Sequence, residues 1–497
     1  MLSGLVLAID QGTTNTKTLL VARSGLTVFR ASHPVALIHR SDGFVEQDPI
    51  LLWESVCMGI AECLRYAAQA SQSIDAVAIS NQRETALAWD AETGKPINHA
   101  ISWQCGRSAE ICRRMKPHAA SIRAKTGLPL ATLISAGKWA WLLENSEAAQ
   151  ASEKAGTLRL GTVDSWLIHQ LTKGTVHVTD FSNASRTGIL NLESLTWDAE
   201  LLEAFKIPLA SMPDLRSSSG SFGQVCALPE LDGVPILAAI GDSHAAMFGH
   251  GKYAAGATKA TYGTGSSLMS LTPCLAADLP ALARTIAWSI NGQTQFALEG
   301  NIAMTGAAVQ WVGEFLQLTD PAQRAVRLAA SVSDAAGVYF VPAMVGLGAP
   351  HWDSAARGTI TGLERSHTAA HMAHAALDAI AYQVADVFLA MQQAAGLDLP
   401  ALDADGGATR NSALMQFQAN ILGKPVLRSV NEELSALGAA WLAGLALGWW
   451  TSLSQLEELP HHADQFLPAM EATLRDRLYS GWKSAVKHAR LLAEACE

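Results

Sequence analysis

The sequence has few charged residues and no basic cluster. Asp, Glu, Lys and Arg make up 16% of its 497 residues, and its formal net charge at pH 7 is −10. A pI near 5.8 without a run of Lys or Arg argues against nucleic acid or an anionic membrane as the main partner. Because 49% of the residues are hydrophobic and no tract has low complexity, we expect an ordered protein of two or three domains.

The sequence also lacks the signs of an oxidised or secreted protein. Its seven cysteines are an odd number and include no CxxC pair, which predicts reduced thiols. The opening MLSGLVLAID has neither the basic region nor the cleavage site of a signal peptide, so we expect a cytoplasmic protein. An uncharged stretch at residues 434–456 is long enough to span a bilayer, but its Gly, Ala and Ser content favours a buried segment.

Several catalytic motifs are missing. The chain contains no GxxxxGK[ST] and no GxGxxG between a strand and a helix, which removes the main support for P-loop and Rossmann folds. No GxSxG marks a hydrolase nucleophile, and the carboxylates lack the pairing of a glycosidase. His367, His371 and His374 have the spacing that places three imidazoles on one helical face, but no HExxH accompanies them. We interpret them as part of an ordinary helix, with a metal site as the less favoured alternative.

The stretch AIDQGTTNTKTLLV, residues 8–21, predicts a β-hairpin. Residues 5–9 and 18–21 are typical of short strands, and a Gly-containing turn joins them. Gly12 lets a ligand approach the backbone closely, and Thr13, Thr14 and Asn15 add side-chain donors. Such a concavity suits phosphate oxygens, with an ordinary polar turn as the alternative.

A second stretch, KATYGTGSSLMSL at residues 259–271, again places a Gly-Thr turn between two extended runs. β-rich runs such as AVAIS, VPILAAIGD and ALDADGGA give way to helical patterns, which indicates an α/β fold. Two phosphate-binding hairpins half a chain apart predict duplicated domains facing a nucleotide cleft, unless the short repeat is a coincidence. We place the boundary near residues 249–256, whose glycines could form a hinge, and expect domains 1–249 and 250–497.

Some polar and aromatic positions have two interpretations. Asp242 ends the apolar run VPILAAI, where it is either a helix N-cap or a general base for a hydroxyl nucleophile. Arg83 and Glu84 follow AVAIS, a position that suits a ligand at the edge of an open α/β sheet, although the residues alone favour a surface ion pair. Trp103 in SWQCGR is by itself typical of an ordinary core.

Nine motifs taken together resemble one family. In chain order they are DQGTT, GFVEQDP, SNQRETALAWD, ISWQCGR, GTVDSWLIHQLT, TDFSNASRTGIL, YGTGSS, GLGAPHWD and DGGATRN. With them, the chain from about residue 5 to about residue 450 resembles the FGGY carbohydrate kinases, and within that family the glycerol kinases. The resemblance implies two actin-like (ribonuclease H-like) α/β domains that close on ATP and a small polyol or ketose.

The resemblance also implies roles for individual residues. Asp10 and Asp242 would hold Mg²⁺, and Asp242 would be the catalytic base. The polyol would contact Arg83, Glu84, Trp103, Asp242, Leu133, Ser243 and Ser267. The nucleotide would contact both hairpin turns and further, mostly small residues: Gly12, Thr13, Thr14, Asn15, Lys17, Gly263, Thr264, Gly265, Gly306, Gln310, Gly407, Ala408 and Asn411.

Three of these positions depart from what glycerol kinases usually have. Leu133 stands where a tyrosine is expected, Ser243 replaces a glutamine and Ser267 replaces a phenylalanine. Loss of two aromatic rings should enlarge the pocket, and a serine hydroxyl could meet an additional substrate hydroxyl. We therefore expect a four- or five-carbon polyol or ketose, or glycerol itself. Lys17 also differs, because an arginine is common there.

The sequence leaves two hypotheses for function. The first is an ATP- and Mg²⁺-dependent kinase that phosphorylates a primary hydroxyl of a small polyol or ketose. The second is an actin-like, ATP-dependent binding or regulatory protein without small-molecule kinase activity, because a fold does not fix a function. Arg83, Glu84 and Trp103 favour the first, since the second has no need of a polyol site. A homo-oligomer is compatible with either.

Overall fold

The computed structural model describes residues 4–275 and 279–494. Up to residue 249, short 3₁₀ turns lie at Lys116–His118, Leu209–Ser211 and Pro229–Leu231. The other elements are β1 (Gly4–Gln11), β2 (Asn15–Ala22), β3 (Thr27–Pro34), β4 (Ile38–His39), β5 (Val45–Gln47), α1 (Pro49–Gln69), β6 (Ser73–Asn81), β7 (Leu87–Asp90), β8 (Ala100–Ile101), α2 (Ala109–Arg114), α3 (Ala119–Thr126), α4 (Ser135–Asn145), α5 (Glu147–Ala155), β9 (Leu158–Gly161), α6 (Val163–Leu171), β10 (Val178–Asp180), α7 (Phe181–Ala184), β11 (Leu190–Asn191), β12 (Thr196–Trp197), α8 (Ala199–Phe205), β13 (Asp214–Arg216), β14 (Ile236–Gly241) and α9 (Asp242–Gly249).

The remaining elements follow the same mixed pattern, with one 3₁₀ turn at Gly407–Arg410. They are β15 (Thr258–Tyr262), β16 (Ser266–Thr272), β17 (Ala283–Ile290), β18 (Gln293–Ile302), α10 (Gly306–Phe315), α11 (Pro321–Ala329), β19 (Tyr339–Val341), β20 (Thr359–Thr361), α12 (Ala369–Ala395), β21 (Leu402–Asp405), α13 (Ser412–Leu422), β22 (Val426–Ser429), α14 (Leu434–Ala446), α15 (Leu453–Glu457), β23 (Ala463–Phe466) and α16 (Ala472–Glu494).

Two sheets of the same topology organise the chain. The first has the strand order β3-β2-β1-β6-β14, and the second contains β18-β16-β15-β21-β22, extended by β17 and β23 at its two edges. In each sheet the first two pairings are antiparallel and the next two are parallel. Each Gly-Thr turn joins the equivalent strands, β1 to β2 and β15 to β16. The α/β fold and the duplication predicted from these turns are confirmed.

The first sheet is buried on both faces because its strands alternate. Leu5, Leu7 and Ile9 belong to an apolar cluster with residues of α1 and α6. Val6 and Ala8 point the other way and belong to a cluster with residues of α9 and α14. Helix α14 therefore packs on the first sheet, although it follows most of the second sheet in the chain.

The uncharged stretch at residues 434–456 does not form one long helix. Helix α14 has 13 residues and ends at Ala446, and α15 begins only at Leu453. Trp441 and Leu442 are fully buried inside the protein. Among the residues that the structure describes, no helix is both long and apolar enough to cross a membrane. The interpretation as a buried segment is confirmed.

The histidine segment begins a helix. His367 precedes α12 and contacts the Ala336 carbonyl, whereas His371 forms a capping box with Thr368. His374 is 3.2 Å from a carboxylate oxygen of Asp378 on the next helical turn. Across residues 4–275 and 279–494, no group of three or more metal-ligating side chains is assembled. The three imidazoles thus have separate partners, as an ordinary helix start requires.

The described cysteines are unpaired. Six of them are free thiols, and the seventh, Cys496, lies outside the described residues. Burial raises the pKa of the Cys57 and Cys63 thiols to about 11, which keeps both protonated at neutral pH. Their state agrees with the reduced thiols predicted from the sequence.

The segment between α9 and β15 connects the two sheets. Gly251 and Gly256 have φ values of 66° and 87°, which favour glycine. The His250 imidazole contacts the Asp405 carboxylate at 2.9 Å, at the end of β21. The segment is therefore anchored to the second sheet, and its role as a hinge stays a prediction.

Candidate active site

The turn between β1 and β2 is held in shape from inside. The Gly12 N–H donates to the Asn15 carbonyl at 2.9 Å and closes the turn. The side-chain amide of Gln47 donates to the Thr13 carbonyl at 2.8 Å. Thr14 and Asn15 are exposed. A fixed loop with exposed donors is what phosphate binding by a turn requires.

The turn between β15 and β16 is packed against the start of α10. The Gly263 N–H donates to the Gly265 carbonyl at 2.9 Å, and the Gly306 N–H donates to the Gly263 carbonyl at 3.1 Å. A Cβ on Gly306 would lie 2.6 Å from the Gly263 carbonyl oxygen, so only glycine permits this approach. Thr264 is exposed at the tip. The second turn therefore offers the same kind of surface as the first.

The turn after β21 adjoins the second hairpin. Gly406 has a φ of 95°, and a Cβ there would lie 2.5 Å from the Tyr262 carbonyl oxygen. A Cβ on Gly407 would meet nothing within 4 Å, so this glycine borders open space. Ala408 follows it and is partly buried. These small residues leave room beside the second hairpin turn, where the sequence predicted a nucleotide.

Three other predicted nucleotide contacts have partners within the protein. The Asn411 side-chain oxygen caps α13 by accepting from two backbone N–H groups. The Gln310 amide donates to Glu314 at 2.7 Å. The Lys17 ammonium lies 2.6 Å from a carboxylate oxygen of Glu433. A nucleotide would have to share or replace these partners.

Asp10 and Asp242 stand near the carboxyl ends of strands in the first sheet. Asp10 is the penultimate residue of β1, and Asp242 follows β14 directly. The Ser80 hydroxyl donates to Asp10 at 2.8 Å. Burial and the negative charge of Asp242 raise the pKa of Asp10 to about 6, against the effect of that hydrogen bond. Two mutually repelling carboxylates of this kind are stabilised by a divalent cation.

Arg83 connects Asp242 to a buried acid of the second sheet. Its Nε donates to Asp242 Oδ1 at 3.2 Å, and its Nη1 donates to Glu299 Oε1 at 2.7 Å. The side chain of Asp242 is 39% exposed, whereas that of Glu299 is fully buried. Desolvation raises the pKa of Asp242, and the Arg83 guanidinium opposes that rise. The arginine therefore contacts the candidate base instead of forming a surface ion pair with Glu84.

Glu84 is held by a second arginine. Arg186 Nε donates to Glu84 Oε1 at 2.7 Å, and Arg186 Nη1 lies 2.8 Å from Glu299 Oε2. The Ser135 hydroxyl donates to the Glu84 carbonyl at 3.1 Å. Glu84 has a φ of 62°, a conformation that costs about 1–3 kcal/mol in a residue with a side chain. Such strain is retained where the surroundings fix a functional side chain.

Ser243 and Ser267 belong to one polar network. Their hydroxyl oxygens are 3.2 Å apart. The Lys259 ammonium donates to Ser243 at 2.7 Å, and the Ser267 hydroxyl donates to Glu299 at 3.2 Å. Lys259 is fully buried, and desolvation lowers its pKa. The two serines thus lie together next to Asp242, where the sequence predicted a substrate.

The loop that carries Leu133 is fixed beside Glu84. The buried ammonium of Lys138 donates to the carbonyls of Leu133 and, at 3.3 Å, Ile134. Burial lowers the pKa of Lys138 to about 8. Two residues after Leu133, Ser135 contacts the Glu84 backbone. The backbone at Leu133 is therefore held by a buried lysine.

Trp103 links the two predicted halves of the site. Its indole Nε1 donates to Thr13 Oγ1 at 2.9 Å, and its backbone N–H donates to Thr85 Oγ1 at 3.1 Å. The residue is 36% exposed. The alternative interpretation of Trp103 as ordinary core is therefore wrong.

Sequence reasoning missed four buried residues that adjoin Asp242 and Arg83: Glu299, Arg186, Lys259 and His244. Glu299 in β18 and Lys259 in β15 each stand between two buried residues of the same strand. A charged residue within a buried strand is rare unless it is paired, and this signal could have found both. His244, with a pKa held well below its usual value by burial, gave no such signal because it lies in a helix next to Ser243.

Comparison with known proteins identifies the class and then the family. The duplicated sheets give a two-domain α/β fold, and the family models and relatives show that proteins of this class are phosphotransferases acting on an alcohol. Models of the FGGY family of carbohydrate kinases match the chain twice, the N-terminal domain at residues 5–249 and the C-terminal domain at residues 258–447. The chain belongs to the FGGY family of carbohydrate kinases.

Relatives of nearly the same length support this assignment. Glycerol kinase of Caldanaerobacter subterraneus subsp. tengcongensis is 44% identical over 492 residues, which cover 98% of this chain and 99% of the relative. Glycerol kinase 2 of Thermotoga maritima is 44% identical over 486 residues, 97% and 98% of the two chains. The crystal structure of Plasmodium falciparum glycerol kinase with ADP has a TM-score of 0.92 at 31% identity and covers 98% of both chains. The resemblance inferred from the motifs is confirmed, and it favours a kinase over an actin-like binding protein.

Proposed function

We propose that this protein transfers the γ-phosphoryl group of ATP to a primary hydroxyl of glycerol or of a four- to five-carbon polyol or ketose. The observation that carries the proposal is the contact of Arg83 with Asp242 at 3.2 Å, next to Glu84 and close to Trp103, whose backbone N–H donates to Thr85. The relatives described as glycerol kinases, and one solved with ADP, support the same reaction.

The two hairpin turns are the proposed phosphate sites. Backbone N–H groups and the hydroxyls of Thr13, Thr14 and Thr264 would bind phosphate oxygens. The adenosine would lie against the second sheet, next to Gly306, Gly407 and Ala408. We assign the phosphate and polyol sites to a domain of residues 1–249 and the adenosine site to a domain of residues 250–497. The separate sheet of each half supports this division.

Asp10 and Asp242 are the proposed holders of Mg²⁺, directly or through water. Burial and, to a lesser extent, the charge of Asp242 raise the pKa of Asp10 to about 6, and a bound cation would counter both effects, so the two residues fit the ion. When bound, the ion would neutralise charge on the phosphates during transfer.

Asp242 is the proposed general base. Its partly exposed carboxylate would accept the proton of the substrate hydroxyl while that oxygen forms a bond to the γ-phosphorus. The bond between the γ-phosphorus and the bridging oxygen breaks at the same time, and ADP leaves. Arg83 and Glu84 would bind neighbouring hydroxyls and align the nucleophile, which contributes through orientation. Trp103 would cover one side of the substrate.

Ser243 and Ser267 influence which length of carbon chain the site would prefer. Both hydroxyls lie close to Asp242, at positions where glycerol kinases usually have a glutamine and a phenylalanine, and each is oriented by a charged partner, Lys259 or Glu299. An oriented hydroxyl can bond a substrate hydroxyl, which favours a chain longer than three carbons. Leu133 would form part of the apolar wall of the polyol site. A cytoplasmic location and a homo-oligomeric state remain predictions from the sequence.

A coupled assay of ADP release over three- to six-carbon polyols and ketoses tests the proposal. We expect Mg²⁺-dependent ADP release with glycerol or with a four- or five-carbon substrate, and a phosphorylated product by mass spectrometry. ADP release that no polyol or ketose increases would contradict the proposed reaction.

A further inference from the structure

Glu299 of β18 is a carboxylate from the second sheet that lies between two arginines of the first half of the chain. Its Oε1 accepts from Arg83 Nη1 at 2.7 Å, and its Oε2 lies 2.8 Å from Arg186 Nη1. The Ser267 hydroxyl also donates to Oε1, at 3.2 Å. The side chains of Glu299, Arg186 and Arg83 are 0%, 3% and 9% exposed. A buried acid with this set of donors is held in one orientation.

Each arginine uses its Nε for a carboxylate of the proposed polyol site. Arg83 Nε donates to Asp242, and Arg186 Nε donates to Glu84. The contacts form an unbroken series from Asp242 through Arg83, Glu299 and Arg186 to Glu84. One buried acid thereby connects the proposed base to the proposed hydroxyl-binding carboxylate.

We propose that Glu299 is a positioning residue: it fixes Arg83 and Arg186 so that Asp242 and Glu84 are presented to the substrate in the geometry that transfer needs. This inference rests on the proposed function. Glu299 is too deeply buried to contact the substrate, so it acts through the two arginines. Because it lies on the second sheet, its contacts also require the two halves of the chain to be correctly apposed.

Removing the charge of Glu299 changes the partners of Arg83. In the unmodified protein its guanidinium is shared between two carboxylates. Without Glu299 as an anion, Asp242 becomes its main partner and its negative charge is engaged more strongly. Arg83 is then no longer held between two anions, so its position next to Asp242 is less firmly fixed.

The experiment compares Glu299→Gln and Glu299→Asp with a matched control, Asp198→Asn. Asp198 is also a buried acid that pairs with a cation, Lys125 at 3.0 Å, but it caps α8 and is no part of the site. We measure four quantities for each protein with the best substrate of the screen: kcat, the KM for polyol, the KM for ATP and the thermal midpoint.

For Glu299→Gln we expect kcat to fall at least about tenfold, because misplaced groups lose orientation. The KM for polyol should rise while the KM for ATP stays near the wild-type value. Glu299→Asp keeps the negative charge but places the carboxylate one methylene further from the arginines, so its kcat should lie between those of Glu299→Gln and the wild type. Asp198→Asn should lower the thermal midpoint alone.

Other outcomes overturn the inference. If Glu299→Gln is folded and lowers only the thermal midpoint, like Asp198→Asn, Glu299 is purely structural. If Glu299→Gln does not fold, Glu299→Asp decides, and a wild-type kcat together with a wild-type polyol KM in that variant contradicts positioning. Failure of the proposed function is distinguishable, because the wild-type protein then phosphorylates no polyol or ketose, and the inference fails with it.

Discussion

The indole Nε1 of Trp103 donates a hydrogen bond to Oγ1 of Thr13 at 2.9 Å. The bond connects the wall of the proposed polyol site to the first phosphate turn. Gln47 holds the same turn from the other direction through the Thr13 carbonyl. Trp103 would therefore adjoin both the polyol and the phosphates of ATP, and substitutions at Trp103 should change the KM of both substrates.

Trp103→Phe tests this connection. The variant keeps an aromatic wall but loses the hydrogen bond to Thr13, which contributes about 0.5–1.5 kcal/mol, or about 2- to 12-fold in affinity. We expect the KM for ATP to rise within that range and the KM for polyol to rise less. Trp103→Ala is the control, since it also removes the wall and should raise the polyol KM more. An unchanged ATP KM in both variants would refute the link.

Asp242→Asn should lower kcat at least about a hundredfold, the usual scale for loss of a general base. The amide keeps the volume of the side chain and can still contact Arg83, so the fold should survive. ATP binding, measured by calorimetry, should persist. Turnover close to that of the wild type would remove Asp242 from the mechanism.

Asp10 should make the Mg²⁺ requirement depend on pH. Its pKa is raised to about 6, so the carboxylate takes up a proton at a higher pH than an ordinary aspartate. As the pH falls through about 6, protons compete with the cation, and the Mg²⁺ concentration for half-maximal activity should increase. Steady-state titrations between pH 5 and 8 measure this. In Asp10→Asn the Mg²⁺ concentration for half-maximal activity should be high at every pH. If it still changed with pH as in the wild type, the assignment of Asp10 would be contradicted.

Ser267→Phe should shift the substrate ranking toward glycerol. We expect a four- or five-carbon polyol or ketose to exceed glycerol in kcat/KM by at least about tenfold in the wild type, and the added ring to narrow that gap by filling the pocket. Each lost contact is worth about 1–3 kcal/mol, so glycerol should still react at high concentration. Ser243→Ala, which removes a hydroxyl without adding bulk, is the matched control. If glycerol is the best substrate of the wild type and Ser267→Phe leaves the ranking unchanged, the pocket is not enlarged.

Closure around both substrates should be visible in solution. If residues near Gly251 act as a hinge, a non-hydrolysable ATP analogue together with a polyol should reduce the radius of gyration in small-angle scattering, because kinases exclude water by closing. Either ligand alone should have a smaller effect. Identical profiles with and without both ligands would argue against a hinged cleft.

The fold was largely predictable because its signals are local. The turns at Gly12 and Gly263 each lie between two short extended runs, so neighbouring residues alone predict a hairpin at each. The position of α14 was not predictable. Its apolar residues could have been buried against either sheet, and only the tertiary structure shows that Trp441 packs with Val6 and Ala8.

The candidate site was also predictable only in part. Arg83 and Asp242 could be nominated because they follow predicted strands, where ligands meet open sheets. The pairing of Arg83 with Glu299 could not be predicted, because Glu299 is distant in the chain and the pairing depends on how the two sheets meet. The sequence places Glu84 beside Arg83, yet its partner is Arg186, because the backbone at Glu84 adopts a φ of 62° and turns the two side chains apart.

Helix α14 also has a consequence for biogenesis. It covers the face of the first sheet that Val6, Ala8 and Val21 form, and it is complete only at Ala446. While the ribosome is still translating the second half, α9 is the only earlier helix of the described chain packed on that apolar face and the α14 cover is missing, so a nascent polypeptide presents much of the face to chaperones or to other nascent chains. A nonsense mutation between α9 and α14 would therefore release a fragment whose first sheet lacks this cover on one side. Such fragments should aggregate or be degraded, even though all the strands of that sheet have been made.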